Sequence, residues 1–397
     1  MRSVAFATMP LAVLLAISIA GGLLVAAPAV SQEARDGEPV PIGTFKQLHS
    51  DVLDEDRLLL VCLPRDYEES LMSYPVLFVL YGDQVRGYFA EAVHIVDRLS
   101  EEGSIPKMII VGVANVDRYR DLSPVGRQGR SSGIEPFFRF VAEELVPFLE
   151  SEYRTKDYRV LMGPQAGAAF GLYALAKRQG LFDAFVIENP FRSAPVHDVL
   201  TAMMEELVDE GLASPAFLHI TCPDSEGRVD KTVEVEYVRR FQKMIADKSP
   251  RGLTLITDYI ENNEDFLPPL KLKEGLRDLF REYRFPDRRE VQGLADIRAH
   301  YAALSERLGF EVDVPERTLA SKADDLSARG AVDSAMEVLD YLIEVYPASV
   351  DGYWRLANLH RERGNRETAI DYYRKCLEII PHLRPALHWI EKLEAQQ

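Results

Sequence analysis

Two kinds of hydrophobic pattern divide this chain. Up to about residue 286, short apolar runs alternate with stretches whose apolar positions recur every three or four residues. The runs at 75–82 and 107–114 are almost continuously apolar, as expected of strands covered on both faces. Shorter strand patterns fall at 44–49, 56–64, 184–188, 216–221 and 253–260. Between and after them, helical periodicity runs over 88–101, 134–152, 166–178, 196–210, 229–247 and 270–283. Alternating strand and helix predicts an α/β fold of three layers, with a mostly parallel sheet and right-handed crossovers, over residues 44–286.

After residue 286 the strand patterns stop. A helical linker over 287–315 leads into a stretch with a fixed period. Gly330 and Gly364, Ala335 and Ala369, and Pro347 and Pro381 are each 34 residues apart, which is the tetratricopeptide period. Small residues at Ala323, Ala335, Ala357 and Ala369 let paired helices approach closely, and the prolines end each second helix. The expectation is a small all-α tetratricopeptide domain over 316–397, with two units and a capping helix over 385–394. Such a domain offers a concave face to a protein or peptide partner, or serves as a structural extension.

Composition narrows the picture. The chain has 397 residues, 47% hydrophobic and 27% charged, enough for more than one core. A formal net charge of −17 argues against nucleic acid as a partner. Residues 1–31 carry one early positive charge, a long apolar run and small residues at Ala29 and Ser31. That is the layout of a secretory signal peptide, followed by a polar mobile segment over 32–43. The protein is therefore expected to be exported, periplasmic or secreted. The alternative is an uncleaved anchor, in which case the membrane becomes a partner. Three cysteines, Cys62, Cys222 and Cys376, cannot all pair internally, and no pair has metal-ligand spacing. No metal or other cofactor is expected.

The stretch 158–177 reads as a buried strand, a tight turn bounded by Gly163 and Gly167, and a helix. This is the layout of a nucleophile elbow, whose central residue stands on a strained turn above the sheet. Here that residue is Gln165, a neutral amide that cannot act as an acyl-transfer nucleophile. The backbone N–H groups of Ala166 and Gly167 open the helix, where the dipole favours negative partial charge. A small carbonyl- or carboxylate-bearing ligand could bind there uncleaved, with Gly82, Asp83 and Gln84 as further ligand-binding candidates. Equally, Gln165 could merely cap the helix or fill a pocket.

Several further stretches carry a resemblance: Ser50-x-Val-Leu-x-x-x-Arg57 with the Val-x-Leu-Pro64 that follows, 74–83, Asn115-x-Asp-Arg-x-Arg-Asp-Leu-x-Pro124, 143–149, Tyr153-Arg154 and 181–184. Together they resemble the α/β-hydrolase-fold "putative esterase" family, with its esterase D-like and siderophore-esterase members, over most of 49–286. The resemblance implies an α/β-hydrolase sandwich and a serine esterase. It also implies a triad in which Gln165 stands at the nucleophile position, Phe266 at the histidine and Asp224 or Glu226 at the acid. Because acyl transfer needs a hydroxyl and a base, the expectation is a non-catalytic pseudoenzyme that binds a ligand or a protein. The alternatives are an active ester hydrolase with an unrecognised nucleophile, and an assembly scaffold acting through its repeats.

No substitute for the lost groups stands out. His219 lies within a predicted strand, where a packed histidine is the simpler reading. Cys222, Ser193 and Ser225 lack a visible activating partner, and the acidic run 261–265 lacks the spacing of a calcium loop. The charged residues Asp117, Arg118, Arg120 and Asp121 read as ion pairs that hold a loop in shape.

Overall fold

The computed structural model describes residues 42–80, 85–114, 117–126, 131–177, 180–190, 194–224, 232–261, 268–286 and 290–395. The segment expected at 1–31 and residues 32–41 of the segment expected at 32–43 lie outside the described residues, as do Gly82, Asp83, Gln84, Ser193, Ser225, Glu226 and Phe266. Residues from Ile42 onward form one compact unit.

Eight strands make a single sheet: β1 (Thr44–Ser50), β2 (Glu55–Cys62), β3 (Tyr74–Leu80), β4 (Ile109–Val113), β5 (Thr155–Pro164), β6 (Ala184–Glu188), β7 (Ala216–Asp224) and β8 (Leu253–Glu261). Their spatial order is β1-β2-β4-β3-β5-β6-β7-β8. The β1–β2 and β2–β4 pairs are antiparallel and every other pair is parallel, so the sheet is mixed. The continuous apolar runs become β3 and β4, buried at every residue.

Helices cover both faces, and the two-residue period of the strands sorts the core between them. Phe78, Leu161, Phe185 and Leu218 face one apolar cluster, shared with α3 (Ile134–Arg139), α4 (Val146–Glu152), α5 (Ala166–Lys177), α6 (Ala194–Glu210) and α7 (Thr232–Lys248). Their neighbours Leu77, Val160 and Val186 face a second cluster, under α1 (Val85–Glu101) and α8 (Pro268–Leu279). A short helix, α2 (Arg118–Leu122), sits in the charged loop.

The stretch predicted as one helix over 134–152 is broken by a π-helical turn, Phe140–Leu145, between α3 and α4. At its end the Val146 N–H reaches back to Val141 O, and Pro147, next in line, has no N–H to give. The turn delivers Glu144 to the β1–β2 connection, where its carboxylate accepts from Ser50 Oγ at 2.5 Å and Val52 N at 3.0 Å.

Beyond the sheet come α9 (Leu294–Leu308), α10 (Glu316–Ala328), α11 (Val332–Val345), α12 (Val350–Glu362), α13 (Arg366–Ile379) and α14 (Arg384–Glu394). The bounds of α12 and α13 repeat those of α10 and α11 with an offset of 34 residues: 316 to 350, 328 to 362, 332 to 366 and 345 to 379. Gly330 and Gly364 follow α10 and α12 at φ 80° and 77°, the left-handed turn that only glycine adopts without steric cost.

These helices share the second core cluster. It runs from Leu77 and Val186 through Tyr301, Leu319 and Leu339 to Leu356. Phe310 stacks on Tyr158 of β5 at 4.2 Å, Tyr301 donates to Tyr283 O at 2.9 Å, and Lys156 pairs with Asp313 at 2.5 Å.

Candidate functional site

The elbow sits where β5 meets α5, with Gln165 as the single residue between Pro164 and Ala166. Its backbone is left-handed, at φ 53°. Two hydrogen bonds fix it there: Gln165 N donates to Glu188 O at 2.7 Å, and Gln165 O accepts from Ala169 N at 3.0 Å. The first ties the turn to β6 and the second starts the helix, so strand becomes helix with no intervening loop.

The flanking glycines follow from closeness. A Cβ on Gly163 would lie 2.5 Å from the Gly167 carbonyl carbon, and one on Gly167 would lie 2.2 Å from Leu80 O. The start of α5 is therefore pressed against the end of β3. A second left-handed residue, Asn189 at φ 52°, ends β6 beside the elbow, its N–H donating to Thr221 O at 2.9 Å.

Of the residues singled out from the sequence, Gln165 and Ala166 are half-buried and Gly167 is buried. Asp224 ends β7, in register with Glu261 of β8. The other candidates, Gly82, Asp83, Gln84, Glu226 and Phe266, fall outside the described residues.

Among the described residues, several other candidate nucleophiles and bases lie away from the elbow turn. None of the three cysteines is in a disulfide, and Cys222 is fully buried in the first cluster. Burial pushes the Cys376 thiol up to about 12 and raises that of Cys62, so both stay protonated and unreactive at neutral pH. His197 is buried against Tyr237, ring centroids 4.1 Å apart. His49 is held by Asp56 at 2.8 Å, a hydrogen bond that raises its pKa. His219 is fully buried on β7, its Nε2 3.1 Å from Asp258 and 3.3 Å from Asp278. Among the described residues, no histidine hydrogen-bonds Gln165.

The charged loop is a structural clamp. Asp117 Oδ1 caps α2, accepting from Tyr119 N at 3.0 Å and Arg120 N at 3.2 Å. Arg120 bridges Asp121 at 2.6 Å and Glu55 at 2.7 Å, while Arg57, fully buried, meets Asp121 at 2.9 Å. The partners on β2 were not apparent from the loop sequence, although Arg57 lies within a motif that drew attention on other grounds.

A cavity of about 180 Å³ opens at the opposite edge of the sheet, between strand starts and the C-terminal helices, lined by Tyr74, Ile105, Lys156, Tyr283, Asp313 and Tyr346. It is remote from the elbow. In open α/β sheets, ligands bind at the carboxyl ends of strands, so the elbow edge is the stronger functional candidate despite the larger hollow elsewhere.

Residues 50–204 match the "Putative esterase" family. The ferri-bacillibactin esterase BesA of Bacillus subtilis is 29% identical over 138 residues, 30% of this chain and 48% of that protein. YjcH, also from Bacillus subtilis, is 30% identical over 151 residues, 37% of this chain and 60% of that protein. The matched stretch thus spans about half to three-fifths of these relatives. Among solved structures, an IroE-like serine hydrolase from Shewanella oneidensis superposes with a TM-score of 0.63 at 24% identity, over 76% of this chain and 99% of its own. A protein from Capnocytophaga ochracea superposes with a TM-score of 0.58 at 17% identity, over 89% of this chain and 99% of its own. The mixed sheet with helices on both faces is thus an α/β-hydrolase-like esterase fold, with the esterase family match lying in residues 50–204.

Proposed function

We propose that this protein is a non-hydrolytic relative of the esterases, binding a small carbonyl- or carboxylate-bearing ligand at the elbow. The observation that carries the reading is Gln165 at φ 53°. A left-handed non-glycine residue costs of order 1–3 kcal/mol and persists where the surroundings require it. In a serine esterase that strain presents a nucleophile, and an amide cannot play that role. A strained turn kept without its nucleophile is consistent with selection for the shape itself: a half-buried amide at the start of α5, whose first N–H groups have no acceptor within the helix. On this reading Phe266 replaces the catalytic histidine, and the N-terminal 31 residues export the protein to the periplasm or the medium. One relative is a ferri-bacillibactin esterase, so iron-loaded siderophore esters are the ligands to test first.

A second reading is favoured by the 34-residue offset of the helix bounds: α10–α14 form tetratricopeptide units that recruit a protein partner. The two roles are compatible.

The test is direct. The purified chain should neither hydrolyse p-nitrophenyl acetate nor label with a fluorophosphonate, and it should bind an intact siderophore ester with an affinity that falls in Gln165→Ala. Turnover that survives Gln165→Ala, and is abolished by changing one other residue, would replace this reading with an active hydrolase using a different nucleophile.

A further inference from the structure

Three side chains from three separate elements converge on the second face of the sheet, two strands away from the elbow strand. His219 comes from β7, Asp258 from β8 and Asp278 from α8. One donor atom from each lies within 4.8 Å of the other two. His219 Nε2 is 3.1 Å from Asp258 Oδ2 and 3.3 Å from Asp278 Oδ2. His219 is 0% exposed, whereas both aspartates are 41% exposed, so the group is anchored inside and open to solvent on one side.

The geometry is unlike that of a histidine hydrogen-bonded to a carboxylate. Despite the short distances to Asp258 and Asp278, Nε2 makes no hydrogen bond to either oxygen. Nδ1 is likewise buried without a partner, and so is Oγ1 of Thr221, two residues further along β7 on the same face and in register with Asp258. Buried polar atoms are nearly always satisfied, and here three orphans lie in one patch. We propose that His219, Asp258 and Asp278 bind a divalent transition-metal ion, with Zn²⁺ as the ion they suit best.

The chemistry of the set fits. Imidazole nitrogen and carboxylate oxygen hold Zn²⁺ at about 2.0–2.2 Å. Carboxylate oxygens about 3 Å from the ring nitrogen are compatible with bonds of that length to one shared ion. Two carboxylates neutralise the ion, and the exposed side leaves room for water to complete the coordination. Affinity for such mixed nitrogen and oxygen sites favours Zn²⁺ over Mn²⁺. The tight seat of α8 supports the arrangement: a Cβ on Gly275 would lie 2.4 Å from Val186 Cγ1, so only glycine lets the helix bring Asp278 this close to β7.

The ion would staple α8 to the strands at that side of the sheet. No step of any reaction is assigned to it, and the inference is independent of the function proposed for the elbow. The test uses the full chain, stripped with EDTA and titrated with Zn²⁺ by calorimetry, with Co²⁺ as a spectroscopic substitute. The expected result is one ion bound per chain, a visible Co²⁺ band and a melting temperature that rises with Zn²⁺. Asp258→Asn and Asp278→Asn, half-exposed and conservative in size, should each weaken binding by at least about tenfold, the least expected for damage to a ligand shell. They keep the test valid if His219→Ala fails to fold. Stripped protein that takes up no Zn²⁺, or takes it up equally in both aspartate variants, would overturn the proposal.

Discussion

A left-handed backbone costs an ordinary L-residue roughly 1–2 kcal/mol, and Gln165 carries it at φ 53° between two glycines that have no room for a side chain. Gln165→Gly should therefore raise the unfolding free energy by up to about 1 kcal/mol, the strain relief less the greater entropy of glycine, while weakening ligand binding. Gly167→Ala should lower it by at least about 2 kcal/mol, because the added methyl meets the backbone oxygen of Leu80 at 2.2 Å. Urea titration reads both. These glycines were legible in the sequence because a turn of this kind needs them at fixed spacing. The burial state of a carboxylate was not. Asp183 accepts a hydrogen bond from Arg159 N at 2.7 Å, yet burial pushes its carboxyl from 3.8 up to about 6. The folded chain then binds this proton more tightly than the unfolded one. Its contribution to stability is full below about pH 4 and is lost as pH rises through about 6. Asp183→Asn keeps an acceptor without the charge. The variant should gain on the wild type between pH 4 and 7, by up to about 2–3 kcal/mol in melts at stepped pH.

At the scale of elements, β3 and β4 lie close to where their apolar runs place them, because a strand buried on both faces has little polar sequence to blur its ends. The helix over 134–152 did not keep its regular form. Its apolar spacing is helical throughout, and periodicity does not register one widened turn. Glu144 supplies a reason for the π turn at Phe140–Leu145, since it bonds both Ser50, fully buried, and Val52 N of the β1–β2 connection. Glu144→Ala leaves those donors unmatched and should cost about 1–3 kcal/mol, measurable as a lowered melting temperature. The clamp of Glu55, Arg57, Arg120 and Asp121 was half legible for the same reason: its members are short-range within the loop but long-range to β2. The trio of His219, Asp258 and Asp278 was invisible, since its spacing in sequence means nothing until the sheet and α8 bring the three together.

For the whole molecule, the sequence shows two patterns, and the structure joins them through one core. The 34-residue repeat was readable because identical helix pairs demand glycine and alanine at equal intervals. Where that repeat docks was not, because aromatic residues at 283, 285, 301 and 310 look the same whether they face their own helices or a neighbour. In the structure Phe310 stacks on Tyr158, Tyr301 packs on Tyr283 and Phe285, and the cluster continues from the sheet to α12. Removing residues 287–397 would uncover Tyr158, Phe280, Tyr283 and Phe285, which are otherwise buried. At about 1.5–3 kcal/mol for each large apolar side chain, the loss is comparable with the whole 5–15 kcal/mol by which a domain is stable. The full chain should therefore melt in a single calorimetric transition, and a fragment ending at residue 286 should aggregate or lose cooperative unfolding. A sharp, unchanged transition in that fragment would show that the two parts fold separately. The same coupling dictates how recruitment by the C-terminal helices has to be tested. Truncation would damage the α/β core and abolish ligand and partner binding together, whereas exposed positions such as Leu387 on α14 can be changed to glutamate with the fold intact. A partner lost from Leu387→Glu while the elbow still binds its ligand would assign recruitment to the helices alone.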